Sequence, residues 1–228
     1  MKTKIIGDVH GKHEAYCKTI KNSDCTHSVQ VGDMGFQYDT LKVAKTKHKF
    51  FGGNHDNYDI YYDEPRALGD YGKAKVGALD FFFIRGGFSI DVKARLQHLE
   101  LYGVKSWWEE EQLDVGHMIK ALQEYKKDKP KIMLSHSCPH EVSAYIGNPD
   151  VLKAFGFNPK TFSTHTQELL QKCFDEHKPD VWIFGHFHRT LDFDYQGTRF
   201  MCLGELRHVD YEDGEFINNN KLDKVSQR

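Results

Sequence analysis

Asp8 and His10 in Gly7-Asp8-Val9-His10-Gly11, Asp33 in Gly32-Asp33-Met34-Gly35, Asn54 and His55 in Gly53-Asn54-His55-Asp56, His136 after Ser135, and His186 and His188 in Gly185-His186-Phe187-His188 are metal-ligand residue types in five separated segments. Oxygen and imidazole donors without thiolate suit Mn²⁺, Fe²⁺, Zn²⁺ or Ni²⁺. Two such ions about 3.5–4 Å apart share a carboxylate and clamp both oxygens of an in-line phosphoryl displacement. Taken singly, each segment has an ordinary structural reading: Asp8 as a helix N-cap, Asp33 and Asn54 as turn residues, His136 as a buried core histidine. The pair His186 and His188 is different, because period-2 spacing turns both rings to one side. The five together point to one polynuclear metal centre.

Four of the five segments directly follow an apolar or β-branched run: Lys4-Ile5-Ile6, Ser28 to Val31, Lys131 to Leu134, and Asp180 to Phe184. The fifth follows Lys49-Phe50-Phe51. An apolar run that stops at Gly, Asp or His reads as a buried strand carrying polar residues to its carboxyl end, the edge where open α/β sheets bind ligands. Between the runs, Lys12 to Lys21 and Asp39 to Lys47 read as helices, and a βαβαβ rhythm predicts parallel strands. Asn57 to Lys73 reads as a loop near the site. Phe81 to Ile84 is a strand, and Glu109 to Lys126 a helix burying Leu113, Ile119, Leu122 and Met118. Thr161 to His177 is a helix burying Leu169, Leu170, Cys173 and Phe174. Leu191 to Tyr195 and Thr198 to Leu203 alternate around Gln196-Gly197 as a hairpin, followed by a strand from Arg207 to Tyr211.

No repeat or linker divides the chain. The pattern predicts an α/β fold in a single domain over residues 1–212: a layered sandwich of two mixed β-sheets with helices outside (α/β/β/α). Residues 213–228 read as a polar, frayed tail. The 228 residues are enough to bury a core without staples. A net charge of −2 gives no global field for nucleic acid or anionic membranes. Five scattered cysteines without a C-x-x-C pair read as reduced thiols of a cytoplasmic protein. A strand beginning almost at residue 1 leaves no room for a signal peptide, and no run approaches the roughly 20 apolar residues of a membrane span.

The ordered set D-x-H, G-D, G-N-H-D, H and G-H-x-H resembles the calcineurin-like metallophosphoesterase superfamily over residues 7 to 188, most of the chain. The resemblance implies two divalent metal ions, manganese foremost with Fe²⁺, Zn²⁺ or Ni²⁺ as alternatives. It implies Asp8, His10 and His188 on the first ion, Asp33 bridging, and Asn54, His136 and His186 on the second. His140 is the alternative to His136, which is preferred because it directly follows its strand. The resemblance further implies a metal-bridging hydroxide as nucleophile, with Asp33 and His55 as the catalytic pair. His55 would be a general acid toward the leaving-group oxygen, its intrinsic pKa near 6.5 suiting proton donation near neutrality, or a donor to the transition state.

Arg85, which ends a strand, and Arg189, beside the His-x-His pair, are placed to grip substrate phosphate. A surface salt bridge is an equal reading of each. Asp91, Arg95 and Trp107-Trp108 resemble segments that line the mouth of the site in bacterial and phage members. A core or lid role fits the tryptophans better than stacking, and His13, Tyr58 and Tyr61 are further rim candidates. Gly32-Asp33-Met34-Gly35-Phe36-Gln37-Tyr38 lacks the Arg that follows the second motif in serine/threonine protein phosphatases, and Asp56 stands where they carry Glu. The reading is therefore a hydrolase of phosphate mono- or diesters acting on a small phosphate ester such as a nucleotide. A protein phosphatase or nuclease of the same superfamily is the alternative, and a metal-binding scaffold is the non-enzymatic one.

Overall fold

The computed structural model describes residues 2–22, 24–218 and 220–223, and its strands form two sheets. The first runs, in spatial order, β11 (Glu215–Ile217), β10 (His208–Glu212), β1 (Thr3–Ile6), β2 (His27–Gln30) and β3 (His48–Phe50). Strands β1, β2 and β3 are parallel, and β10 pairs antiparallel with β1, placing Ile5 opposite Val209. The second runs β4 (Tyr71–Val76), β5 (Leu79–Ile84), β6 (Ile132–Ser135), β7 (Val181–Phe184), β9 (Thr198–Cys202) and β8 (Leu191–Tyr195). Its central strands are parallel, and both edges are antiparallel.

Period-2 alternation explains why the sheets stack. In β5, Phe81 and Phe83 join Ile5, Val29, Phe51, Leu134 and Ile183 in the core between the sheets. Phe82 and Ile84 point the other way, into a second core with Trp182, Phe184 and Phe200. That face is covered by α4 (Val115–Asp128), α5 (His140–Ile146) and α7 (His165–Glu176). A third core packs α1 (His13–Lys21) and α2 (Tyr58–Tyr61) on the outer face of the first sheet through Tyr16, Ile20, Phe50 and Tyr61. The four layers are α/β/β/α. Each fully buried large apolar side chain contributes about 1.5–3 kcal/mol.

Several expected elements differ. Residues 39–47 form turns rather than a helix; of their apolar side chains only Leu41 is fully buried, too little to anchor an amphipathic helix. The helix expected from Glu109 starts at Val115, where the Asp114 side chain accepts from His117 N at 2.9 Å, after a 3₁₀ turn over Glu109–Glu111. Its buried side is Ala121 and Tyr125, while Ile119 is exposed. Helix α3 (Val92–Tyr102) went unforeseen because Leu96, Leu99, Leu101 and Tyr102 face solvent and only Arg95 is buried, so no apolar stripe marks it. The short α5 and α6 (Pro149–Ala154) were likewise unforeseen, and the segment 57–73 holds α2 and the start of β4 rather than loop alone.

Within the C-terminal tail, Glu215–Ile217 pairs with β10, and the Asp223 carboxylate accepts from Thr190 N at 2.8 Å; residues 219 and 224–228 of the expected frayed tail lie outside the described residues. All five cysteines are buried thiols. Among the described residues, no helix is long and apolar enough to cross a membrane.

Candidate metal centre

The five segments meet at the carboxyl ends of β1, β2, β3, β6 and β7. After β1 the chain turns through Asp8 and His10, whose loop is tied to the next segment because the Asp33 carbonyl accepts from Val9 N at 2.9 Å and His10 N at 2.8 Å. Four candidate ligands sit in the left-handed backbone region: His10 (φ 49°), Asp33 (φ 61°), His186 (φ 66°) and His188 (φ 51°). Non-glycine residues there cost of order 1–3 kcal/mol each and cluster where a site dictates the backbone.

One set of donors comprises Asp8, His10, Asp33 and His188, with one donor atom of each lying within 4.8 Å of the others. His10 Nε2 is 3.2 Å from His188 Nε2, and His188 Nε2 is 3.6 Å from Asp8 Oδ2. A second set adjoins it. His136 Nε2 is 3.2 Å from Asp33 Oδ1 and 3.1 Å from Asn54 Oδ1, and the His136 and His186 rings are 5.0 Å apart. Donors on one ion, each about 2.1 Å from it, lie about 3.0–3.4 Å from one another. The structure therefore brings all seven expected residues together. His140 instead begins α5.

The arrangement fits divalent cations on its own chemistry. Among the described residues, Asp8 Oδ2 and Asp33 Oδ2 are buried acceptors with no hydrogen-bond partner, which is costly unless a cation supplies one. His136 Nδ1 donates to the Val31 carbonyl at 2.9 Å, leaving the Nε2 lone pair toward the site. Asn54 Nδ2 donates to Ser89 Oγ at 3.2 Å, and Ser89 Oγ donates to Glu111 Oε2 at 2.7 Å, so Asn54 Oδ1 is turned inward. The glycines are demanded by space. A Cβ at Gly185 would collide with Asp8 Oδ1, and one at Gly87 would press on Asn54, His136 and His186 together.

The electrostatics match a site awaiting positive charge. Burial pushes Asp8 up to about 7. Burial would also raise Asp33, but the adjoining His136 outweighs it and holds Asp33 below the usual carboxylate range. Conversely, burial works to lower His136, yet Asp33 raises it to about 9. Burial pushes His186 down to about 3 and lowers His10. His186 and His10 are neutral at pH 7 and can offer lone pairs, whereas His136 must release a proton before it can.

His55 stands beside this group. Its backbone N donates to Asp33 Oδ1 at 2.7 Å, and its ring meets His10 edge-on at 4.8 Å. Burial pushes its pKa down to about 4, so the imidazolium expected near neutrality is not the resting form. Asp56, in the sequence only a mark of difference from the protein phosphatases, is a supporting residue of the site. It accepts from the backbone N of Asp33 (2.9 Å), Gly53 (2.7 Å) and Gly35 (3.2 Å) and from the Tyr38 hydroxyl (3.1 Å), binding two motifs into one unit. The motif spelling G-N-H-D was the available signal.

Arg85 requires a correction. It is buried, with Nε on Asp70 at 2.5 Å, Nη1 on the Glu110 carbonyl at 2.5 Å, Nη2 on the Tyr62 hydroxyl at 2.7 Å, and its guanidinium over the Tyr58 ring. Those contacts make it an internal brace rather than a phosphate grip. Arg189 does line the cleft, with Nη1 on the Ile146 carbonyl. Trp108 packs on Phe36 in the third core, as a core role requires. His13, Tyr58 and Tyr61 are buried braces too: His13 Nε2 donates to the Met34 carbonyl, Tyr58 to the Gly53 carbonyl and Tyr61 to the Gly69 carbonyl. Arg95, mentioned only as a mouth residue, contacts His55 directly.

The chain belongs to the calcineurin-like phosphoesterase family, whose model matches residues 1–190. It is a metal-dependent phosphoesterase. No curated protein sequence matches it significantly. Among solved structures it is similar to the phosphopantetheinyl hydrolase of Mycobacterium tuberculosis, at 13% identity and a TM-score of 0.47 over 90% of this chain and 89% of that one. It is also similar to the phosphoesterase Yfce of E. coli, at 12% identity and a TM-score of 0.41 over 93% and 89%. A third is an archaeal phosphodiesterase, at 12% identity and a TM-score of 0.40 over 95% and 97%. Similarities of this size carry nothing about the substrate of this chain.

Proposed function

We propose that the centre holds two divalent cations, manganese in the cell, and hydrolyses small phosphate mono- or diesters, nucleotides among them. One observation carries the reading. Asp33 divides its carboxylate between the two donor sets, with Oδ1 3.2 Å from His136 Nε2 and Oδ2 3.9 Å from His10 Nε2. In this reading Asp8, His10 and His188 serve the first ion, Asn54, His136 and His186 the second, and Asp33 both. Cations bound there acidify water and neutralise charge building on the phosphoryl oxygens. The protein's part is to aim the donors, exclude bulk water and orient the ester, with Arg189 on the cleft wall as the phosphate contact. His55 faces the reacting group as a neutral ring that offers one N–H. A cytoplasmic setting is part of the same reading, supported by the five buried thiols.

The test begins with metal-stripped protein titrated with Mn²⁺ and counted by elemental analysis. Two ions per chain are expected in the wild type, and one or none in Asp33→Asn. The reloaded enzyme is then assayed on p-nitrophenyl phosphate, its bis ester, cyclic nucleotides, a phosphopeptide and single-stranded DNA. Asp33→Asn should lower every turnover by at least about 10³-fold. A stoichiometry of one, or an active Asp33→Asn, overturns the proposal. Preference for the phosphopeptide or the DNA would move it to the protein-phosphatase or nuclease reading, and full loading without turnover to the scaffold reading.

A further inference from the structure

The donor residues Asp33, Asn54, His186 and His188 line a cleft of about 460 Å³, within the range of small-molecule sites. Phe88, Ile146, Val151, Leu152, Phe155 and Phe162 give the same cleft an apolar lobe. Phe162 lies 6.0 Å from Phe88 and 4.8 Å from Phe157, ring centre to ring centre, so part of this wall is a braced aromatic cluster. Val151 and Phe155 leave 43% and 49% of their surface to solvent. A soluble domain that lines a cleft with such groups gains by having something flat or apolar laid over them.

Gln167 distinguishes between those two kinds of occupant. It lies on the same cavity wall and is only 4% exposed, and its backbone N is held by Thr164 Oγ1 at 3.2 Å. Among the described residues its buried side-chain Oε1 has no hydrogen-bond partner. An unpaired buried amide oxygen is costly and is relieved by a donor, from an ordered water or from a ligand. An alkyl chain brings none. A nucleobase brings two apolar faces for the aromatic wall and an edge N–H for the amide, the pairing on which protein recognition of unstacked bases rests.

We propose that this lobe is a nucleobase pocket: it receives the base of a nucleotide whose phosphate lies at the Asp33 end of the same cleft. The assignment rests on the phosphoesterase reading above and narrows its substrate to nucleotides. Phe88 and Phe162 supply aromatic surface, Leu152 an aliphatic part of the same lining, and Gln167 the polar contact to the base edge.

Two readouts separate the lobe from the catalysis. In the first, adenosine, cytidine and uridine, which carry no phosphate, are titrated into the metal-loaded protein and followed by saturation-transfer NMR, with hexanol as the alkyl probe. Nucleosides should bind the wild type. Leu152→Trp, which fills the lobe, should abolish that binding, and Gln167→Leu should weaken it about tenfold while strengthening hexanol. In the second, kcat/KM is measured for nucleoside monophosphates and for glycerol phosphate, and Leu152→Trp should lower the nucleotide-to-glycerol ratio about tenfold. Tighter binding of hexanol than of any nucleoside, or nucleoside binding indifferent to both substitutions, overturns the pocket. Nucleosides bound as expected with no ester hydrolysed would instead overturn the phosphoesterase reading and leave the base pocket standing.

Discussion

Arg95 Nη2 lies 2.7 Å from His55 Nε2, while its Nε is held by Asp91 at 2.8 Å and its Nη1 by the Ser106 carbonyl at 2.8 Å. A guanidinium only donates, so Nε2 must accept and the ring proton sits on Nδ1. Burial first, then the positive charge of Arg95, lower the His55 pKa, against the opposing pull of Asp33. Replacing Arg95 with Ala should therefore raise the His55 pKa, read from its ring nitrogens by NMR in the metal-free protein. Turnover of alkyl esters should fall about 10- to 100-fold, and that of nitrophenyl esters less, since nitrophenolate needs no proton. An unmoved His55 titration would show that the contact is absent in solution.

Arg85 should behave as a brace. Arg85→Met leaves Asp70, the Glu110 carbonyl and Tyr62 without their buried donor, and should cost about 3 kcal/mol of unfolding free energy in urea. KM for phosphate esters should stay within about twofold of wild type. A large rise in KM at unchanged stability would restore Arg85 as a substrate contact.

Gly185 should be intolerant of even one methyl group, because a Cβ there would collide with Asp8 Oδ1. Gly185→Ala is expected to weaken divalent-ion binding at least about tenfold by calorimetry. Its far-UV circular dichroism should match the wild type. Normal affinity would mean that Asp8 can relocate without consequence.

The pH dependence of the metal-free protein follows from groups of opposite sign. Burial depresses His48 and His55 to about 4 and His186 to about 3. Their stabilisation is present above the unfolded value near 6.5 and is lost as pH falls through the folded values. Burial raises Asp8 and Glu111 to about 7, so their contribution is full below the unfolded values near 4 and is lost as pH rises through 7. His136, raised to about 9 by Asp33 against the effect of burial, loses its contribution between about 6.5 and 9. Tm should peak near pH 6–7 and fall by several degrees toward pH 9. Bound cations take over Asp8 and His136, so calorimetric scans with Mn²⁺ should show a shallower alkaline decline; equal slopes with and without metal would contradict it.

Much of this was legible because strand ends write the site into the sequence. Each apolar run ends where its polar residue must emerge, and that regularity marks the five segments; the choice of seven ligands within them is what the family resemblance implies. Arg85 obeyed the same regularity and misled, because sequence cannot tell whether Asp70 and Tyr62 will reach it first. Glu111 and Ser89 were illegible as supports of Asn54, since their contact joins residues 22 positions apart on either side of helix α3. Helix α3 hid for the opposite reason: its leucines face water, so the pattern that reveals helices was missing.

The pairing of β1 with β10 bears on how the molecule comes into being. Ile5 pairs with Val29 on one side and with Val209 on the other, so on the ribosome one flank of the first strand waits until residue 209 has been synthesised. Until then the strand preceding Asp8 has an open flank, and the catalytic edge of that sheet is among the last parts of the protein to mature.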